Sequence, residues 1–331
     1  MHEDSIKRPL VGRLAPSPTG AQHIGNARTY LLAWLSIRSR GGRLILRMED
    51  IDSPRIKPRA AQQAMDDLRW LGLDWDEGPD IGGPQTPYVQ TQRMETYRTA
   101  LEQLQAAGQV YPCTCTRSDV AAAASAPHLG QEGPRYPGTC SGRRVADAEE
   151  LARQGQPFAW RFRTSSTRHE LHDLVAGARS CNVSEELGDF VVAKSDGSPA
   201  YQLAVVVDDR AMGVTEVLRG DDLLPSAFRQ LELYHFFHWQ PPTFAHVPLV
   251  IGEDGRRLAK RHGDTRLSLL RERSVPATKL VGLLAWSAGL RQTTEPLLPR
   301  ELIGDFTLDK LRRQPFVFTA EMLSRLLATQ A

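Results

Sequence analysis

A chain of 331 residues, 41% hydrophobic and 24% charged, can build a packed core over two or three domains, so disorder is not its default. A net charge of +2 neither announces a nucleic-acid partner nor argues against one, and the longest apolar runs, Leu203 to Val207 and Leu280 to Leu290, fall far short of the ~20 residues that cross a bilayer. Four cysteines are too few for a disulfide scaffold, the N-terminal residues lack the apolar core of a secretory signal, and no repeat is visible, so a cytoplasmic protein with no membrane association is expected.

In chain order, Val11 to Leu14 reads as a strand, and the following Pro16-Ser17-Pro18-Thr19-Gly20 must be loop. Ile24, Ala27, Leu31, Trp34 and Leu35 recur at steps of three and four, predicting a helix that Gly41-Gly42 ends. Arg43 to Met48 is a second strand, and further helices are predicted over Ala60 to Leu71 and Arg93 to Ala107. This rhythm of strands and helices belongs to a parallel α/β sheet. It breaks near Tyr111. Residues 111–145 hold three cysteines and a Gly/Pro-rich loop, an insertion without an obvious core. Strands are predicted again at Trp160 to Arg163, Gly188 to Ala193 and Tyr201 to Val207, so a second α/β half follows. After Arg266 the chain reads as helical, at Leu280 to Leu290, Leu308 to Arg313 and Ala320 to Ala328.

The most informative stretch is Arg13 to Arg28, RLAPSPTGAQHIGNAR. A strand ends, a Pro/Ser/Gly loop turns, and His23 lands on the first turn of a helix. Free backbone N–H groups and the positive end of the helix dipole favour a phosphate there, with His23 and Thr19 adding side-chain donors. Far along the chain lies GRRLAKRHGD, Gly255 to Asp264. Only six of the 41 basic residues are lysines, and Lys260 stands alone between residues 195 and 278. A compact, mobile ammonium suits the charge of a departing pyrophosphate.

HIGN (His23 to Asn26) and RLAKR (Arg257 to Arg261) resemble the HIGH and KMSKS elements of class I aminoacyl-tRNA synthetases. RLAPSPTG…HIGNART…LRMEDID, YQLAVVVDD and GVTEVLRGDD resemble the glutamate/glutamine branch of that class. The resemblance runs in order from about Arg13 to Asp264. It implies an α/β fold: a Rossmann-like parallel sheet split by a zinc-containing insertion and followed by a short α-helical C-terminal region. The expected divisions are residues 1–110 for the first half of the catalytic domain and 111–187 for the insertion with its zinc-binding loop. Residues 188–265 would form the second half with the KMSKS-like loop, and 266–331 a helical stem-contact-like region.

The reaction so implied is ATP-dependent activation of L-glutamate to its adenylate. The attacking carboxylate is already anionic, so the task is positioning and charge stabilisation rather than general-base catalysis. His23 and Lys260 are the expected catalytic pair, with Mg²⁺ accompanying ATP. Pro16, Thr19, Gly20, Gly25, Asn26, Arg257 and Leu258 complete the expected ATP site. Asn26 replaces the last His of HIGH, and Ala259 the first Ser of KMSKS. For the amino acid, Arg13 can pair bidentately with a carboxylate and Glu49 can meet the ammonium. By resemblance, Ala15, Ser17, Tyr201 and Arg219 complete that pocket. Val205 stands where the resembled enzymes carry a substrate-touching Asn, which predicts looser glutamate binding.

Cys113, Cys115 and Cys140 suggest one structural, tetrahedral Zn²⁺. On the residues alone the fourth ligand is open among Tyr136, His128 and Cys181. The spacing C-x-C-x(20)-Y-x(3)-C resembles enzymes in which the Tyr is a ligand, and so favours Tyr136. The same resemblance, with only 67 residues after Asp264, points to the branch lacking an anticodon-binding domain. Members of that branch attach glutamate, activated without tRNA, to the queuosine base at the wobble position of tRNA(Asp). Arg312, Arg313 and the arginines flanking Lys260 are candidate phosphate contacts for that RNA. A shortened glutamyl-tRNA synthetase charging the 3′ end, a HIGH-type nucleotidyltransferase and a non-catalytic paralogue are the alternatives. No sustained heptad is present, so a monomer is expected.

Overall fold

The computed structural model describes residues 8–18, 21–51, 59–116, 118–120, 135–258 and 263–328. Thr19, Gly20, His128 and Lys260 lie outside the described residues. Strands β1 (Val11–Leu14) and β2 (Arg43–Leu46) pair in parallel, Val11 opposite Arg43 and Leu14 opposite Leu46. Parallel neighbours need a crossover, and helix α1 (Ile24–Arg38) supplies it. Ile24, Leu31, Leu32, Leu35 and Ile37 of α1 are at most 2% exposed, each such burial contributing about 1.5–3 kcal/mol. Helices α2 (Ala60–Trp70) and α3 (Met94–Ala106) follow close to expectation.

Beyond the cysteine-bearing stretch the insertion carries regular structure, including a helix and a hairpin that the sequence did not announce. β3 (Val110–Cys113) leads through α4 (Asp147–Arg153) to β4 (Ala159–Phe162). A regular hairpin, β5 (Arg168–Asp173) with β6 (Gly177–Asn182), precedes the short α5 (Val183–Glu186) and β7 (Phe190–Ala193). β3, β4 and β7 form one antiparallel sheet, which crosses the divisions expected at 110/111 and 187/188.

Tyr201 to Val207 is where prediction and structure part. The segment is not a strand but the start of helix α6 (Tyr201–Ala211). Residues 202–209 are all buried, so no exposed face imprints a 3.6-residue period on the apolar run. Pro199 and the extended Ala200 N-cap set the helix start.

A second parallel pair follows: β8 (Glu216–Gly220) and β9 (Thr243–Val247), crossed over by α7 (Leu224–Phe236). The Thr215 amide donates to the Val11 carbonyl (2.8 Å), which brings β8 beside β1 and joins the two halves. β10 (Val250–Ile251) then pairs in parallel with β11 (Phe316–Val317). Helices α8 (Leu267–Glu272), α9 (Ala277–Ser287) and α10 (Ala320–Leu327) close the chain. Leu308 to Arg313 is no α-helix; only a 3-10 turn at Leu308–Lys310 forms. Leu280 and Leu284 of α9 share the largest core cluster with Leu31 and Leu35 of α1, so the C-terminal helices brace the back of the first crossover. Among the described residues no helix is long and apolar enough to cross a membrane.

Candidate active site

His23 is the N-cap of α1. Its Nδ1 accepts the amides of Gly25 (3.1 Å) and Asn26 (3.4 Å), and Asn26 Oδ1 accepts the His23 amide in return (3.1 Å). Two consequences follow. Since Nδ1 accepts, the neutral ring carries its proton on Nε2, where it can be given to a ligand. And a Cβ at residue 25 would lie 3.0 Å from the ring Cε1 and 3.1 Å from Nδ1, so glycine lets the ring fold over its own helix end. Burial, reinforced by the charge of Arg257, lowers the His23 pKa to about 4. The ring is thus a neutral donor at neutral pH.

The chain on either side of residues 259–262 reaches the same place. The Leu258 amide donates to Val250 (3.3 Å), and Arg257 pairs with Asp222 (2.8 Å). Beyond the undescribed residues 259–262, the Ile24 amide donates to the Thr265 carbonyl (3.1 Å) and the Leu267 amide to Gln22 (2.9 Å). His23 and Arg266 thereby form an antiparallel bridge. Residues more than 200 apart in sequence share one main-chain junction. Pro16 adds a further tie, its carbonyl accepting the Glu49 amide (3.1 Å).

Of the expected glutamate-pocket residues, Ser17, Glu49 and Tyr201 line one cleft of about 780 Å³. Cys115, Tyr136 and Arg161 line the same cleft. Arg13 and Arg219 are buried, and Arg219 reaches the Tyr201 hydroxyl (3.4 Å). Arg13 donates to the Leu218 carbonyl (3.3 Å), its Nε lying 3.8 Å from Asp209. Burial, with Arg47 and Arg219 nearby, lowers the Arg13 pKa against the opposing charge of Asp209. Ala15 is half-buried and contributes no side-chain polarity.

Beneath these residues lies an ion network that sequence reasoning missed. Fully buried Arg47 donates to Glu49 (2.8 Å) and Asp209 (2.6 Å), whose charges, with that of Asp208, hold its pKa well above the ordinary value despite burial. Asp208 accepts from Arg93 (2.7 Å), Tyr97 (2.8 Å) and Gln90 (2.9 Å). Such burial of charge is tolerable because every carboxylate is met by a donor. The available signal was the Asp208-Asp209 pair ending an apolar run: two acids so placed require buried cations.

In the insertion, the Sγ atoms of Cys113, Cys115 and Cys140 lie within 4.8 Å of one another, with Cys115 and Cys140 3.6 Å apart. Tetrahedral zinc with Zn–S bonds of about 2.3 Å sets sulfurs about 3.8 Å apart, so the donors fit the ion. The Tyr136 oxygen is 3.4 Å from Cys113 and 3.8 Å from Cys115, inside the same cluster. Arg161 donates to Cys113 (3.2 Å) and Arg143 to Cys140 (3.4 Å), cations that favour thiolates. Cys181 packs instead with Leu171 and Val183 in a separate core, where burial pushes its thiol up to about 11.

Arg312 and Arg313 are both exposed; Arg313 is spent on the Val175 carbonyl and lies 3.7 Å from Asp309.

A parallel α/β frame, a helix-capping His-Ile-Gly and the distant Thr265–Leu267 stretch stapled beside it define a class. The sequence pattern described as tRNA synthetases class I (E and Q), catalytic domain, matches residues 9–324, and the chain belongs to that family. Within it, the chain is 52% identical to the Glutamyl-Q tRNA(Asp) synthetase of Symbiobacterium thermophilum, over 96% of this chain and 98% of that protein. It is 49% identical to the enzyme of the same name from Rhodopirellula baltica, over 93% and 96% of the two chains. The fold is similar to the crystal structure of a glutamate tRNA ligase from Elizabethkingia meningosepticum in complex with its amino acid. That likeness has a TM-score of 0.81 at 29% identity and covers 97% of this chain and 69% of that one.

Proposed function

We propose that this protein activates L-glutamate with ATP, without tRNA, and transfers it to the queuosine base at the wobble position of tRNA(Asp). The observation that supports the reading is the junction of His23 with Thr265–Arg266, which ties the chain just beyond the RLAKR motif to the helix end that carries His-Ile-Gly. Near-full-length similarity to glutamyl-Q synthetases supports the choice of acceptor.

In this reading the α-amino group of glutamate meets Glu49, while Arg13 and Arg219 meet a carboxylate, with Ala15, Ser17 and Tyr201 closing the pocket. The α-carboxylate attacks the α-phosphate in line and pyrophosphate leaves, so one P–O bond forms as another breaks and no proton moves. His23 donates Nε2–H to the phosphates from one side and Lys260 acts from the other, with Mg²⁺ accompanying ATP. Thr19, Gly20, Gly25, Asn26, Arg257 and Leu258 surround the nucleotide. Cys113, Cys115, Cys140 and Tyr136 hold one Zn²⁺, which cross-links the loop wall of the cleft. The four ligands include no acid or base to employ a metal-bound water, so the part proposed for the ion is structural. The enzyme works as a cytoplasmic monomer.

Glutamate-dependent pyrophosphate exchange with no RNA present tests activation. Transfer is tested with tRNA(Asp) carrying queuosine or guanosine at the wobble position, each with and without its 3′-terminal adenosine. Acceptance that needs queuosine and ignores the terminal adenosine is the expected result. The reverse dependence identifies a 3′-end ligase, and no exchange at all overturns the reading.

A further inference from the structure

Arg219 is not held by chance contacts. Its Nε donates to His246 Nε2 (3.0 Å), and its NH2 donates to Gln230 Oε1 (3.0 Å) and to the Leu223 carbonyl (3.3 Å). The other ring nitrogen of His246, Nδ1, lies 2.6 Å from Asp173 Oδ2. All of these side chains are buried: Asp173 5%, His246 1%, Arg219 4% and Gln230 1% exposed.

The polarity of this chain is determined at both ends. An ionised carboxylate only accepts, so His246 Nδ1 must carry the proton that Asp173 receives. The neutral ring then has only Nε2 left as an acceptor, and a guanidinium, which only donates, satisfies it. From the far side of Arg219 the same logic continues. Gln230 must turn its oxygen to the guanidinium, so its amide donates to Gln202 Oε1 (3.1 Å), and Gln202 in turn donates to Ser226 Oγ (2.8 Å). Gln202 lines the cleft that holds Glu49 and Tyr201. An acceptor-only carboxylate at Asp173 and a donor-only guanidinium at Arg219 thus fix the orientation of every group from Asp173 to the cleft wall.

Asp173 itself is anchored by four amide contacts. Its Oδ1 accepts from Val175 (2.9 Å), Ala176 (2.7 Å) and the His246 main chain (3.0 Å), while Oδ2 is 3.2 Å from that same His246 amide. It stands at the end of β5, in the insertion, whereas His246 is on β9 and Arg219 on β8. His246 meets Asp173, Arg219 and the Phe244 ring at 5.9 Å, with Arg13 close enough to act on it through space, and it shares a cavity lining with Arg179, Asp221 and Arg313.

We infer that Asp173 and His246 are positioning residues for glutamate recognition: together they fix the rotation of the Arg219 guanidinium and so aim its remaining N–H at the substrate carboxylate. The inference rests on the glutamate-activating reading and extends it to an insertion residue outside the pocket.

Asp173→Asn is the discriminating change. It keeps the shape and leaves Oδ1 to accept the turn amides, but it puts an amide donor against His246 Nδ1. The ring must then protonate Nε2, which turns N–H against N–H at Arg219. Loss of one charge-assisted hydrogen bond predicts a rise of about 10–100-fold in the KM for glutamate during pyrophosphate exchange. The KM for ATP should stay within about two-fold, and Tm within a few degrees. His246→Phe should match Asp173→Asn. His246→Gln, which can still donate to Asp173 and accept from Arg219, should recover most of the glutamate affinity. An unchanged glutamate KM in Asp173→Asn overturns the inference. So does a parallel rise in both KM values with a fallen Tm, and so do equal effects of Phe and Gln at 246. Wild-type protein without glutamate-dependent exchange would instead remove the underlying reading.

Discussion

The His23 ring performs two jobs that substitution can separate. One is capping: Nδ1 receives the Gly25 and Asn26 amides. The other, in the proposed reaction, is donation from Nε2 to the nucleotide. Asn at position 23 would set its side-chain oxygen near the Nδ1 position, and Asn is among the best N-cap residues, whereas Ala caps nothing. His23→Asn should therefore leave stability almost untouched, while His23→Ala loses about 1 kcal/mol. In a chain of this size that is a Tm decrease of roughly 2 °C. Both variants lose the donor. A preorganised donor aimed at developing charge is worth about 2.7–4 kcal/mol, so kcat should fall about 10²–10³-fold in each. Glutamate-dependent pyrophosphate exchange measured beside thermal melting reads both quantities. The reasoning is refuted if His23→Asn retains activity within ten-fold of wild type. It is equally refuted if Ala is far more damaging to kcat than Asn, since capping rather than donation would then explain the ring.

The ring's titration should be found near pH 4, below the ordinary value of 6.5, because burial and Arg257 oppose its charge. As the folded value is the lower one, the unfolded chain binds the proton first on acidification. The stability contribution is complete above about pH 6.5 and is lost as pH falls toward 4; an imidazole NMR midpoint above 6 would contradict the burial argument. Leu203, Ala204, Val206 and Val207 pack into one core cluster, while Val205, one turn beyond Tyr201, is not part of it. Val205→Asn should lower the glutamate KM about five-fold through one added hydrogen bond, and an unaltered KM in a folded variant would place Val205 away from the substrate. Cys140→Ser should cut zinc content from one ion per chain to well below half, read by metal analysis after dialysis, whereas Cys181→Ser should leave it unchanged; equal retention in both would remove the ion from this cluster.

The first βα unit was legible because its signals agree: a short apolar strand, a Pro/Gly loop, then a three-four period stopped by paired glycines. The pairing of His23 with the Leu258 region is legible only through the resemblance to HIGH and KMSKS, since no local signal links segments so far apart. Tyr201 to Val207 failed for the opposite reason. A helix buried on every side loses the contrast between faces on which period reading depends. The β5–β6 hairpin was hidden differently. Its inward positions include His169 and Asp173, polar residues whose partners Glu232 (2.9 Å) and His246 (2.6 Å) come more than 60 residues later. Alternation existed, but in partners rather than in hydrophobicity. The fit of three sulfurs to a metal was anticipated from spacing alone; the arginines beside them were not, since neither Arg143 nor Arg161 belongs to a local motif.

The junction near His23 is made of main chain alone: Ile24 N–H to Thr265 carbonyl, and Leu267 N–H to Gln22 carbonyl. Backbone groups are common to nearly all residues, so this seam asks little of side-chain identity and much of segment length. Stretches of equal length between Val250 and Leu267 could thus be exchanged among relatives as cassettes, each retaining its own arginines and lysine. A single inserted residue, by contrast, would throw the pairing of Gln22 and Ile24 with Thr265 and Leu267 out of step without altering any side chain.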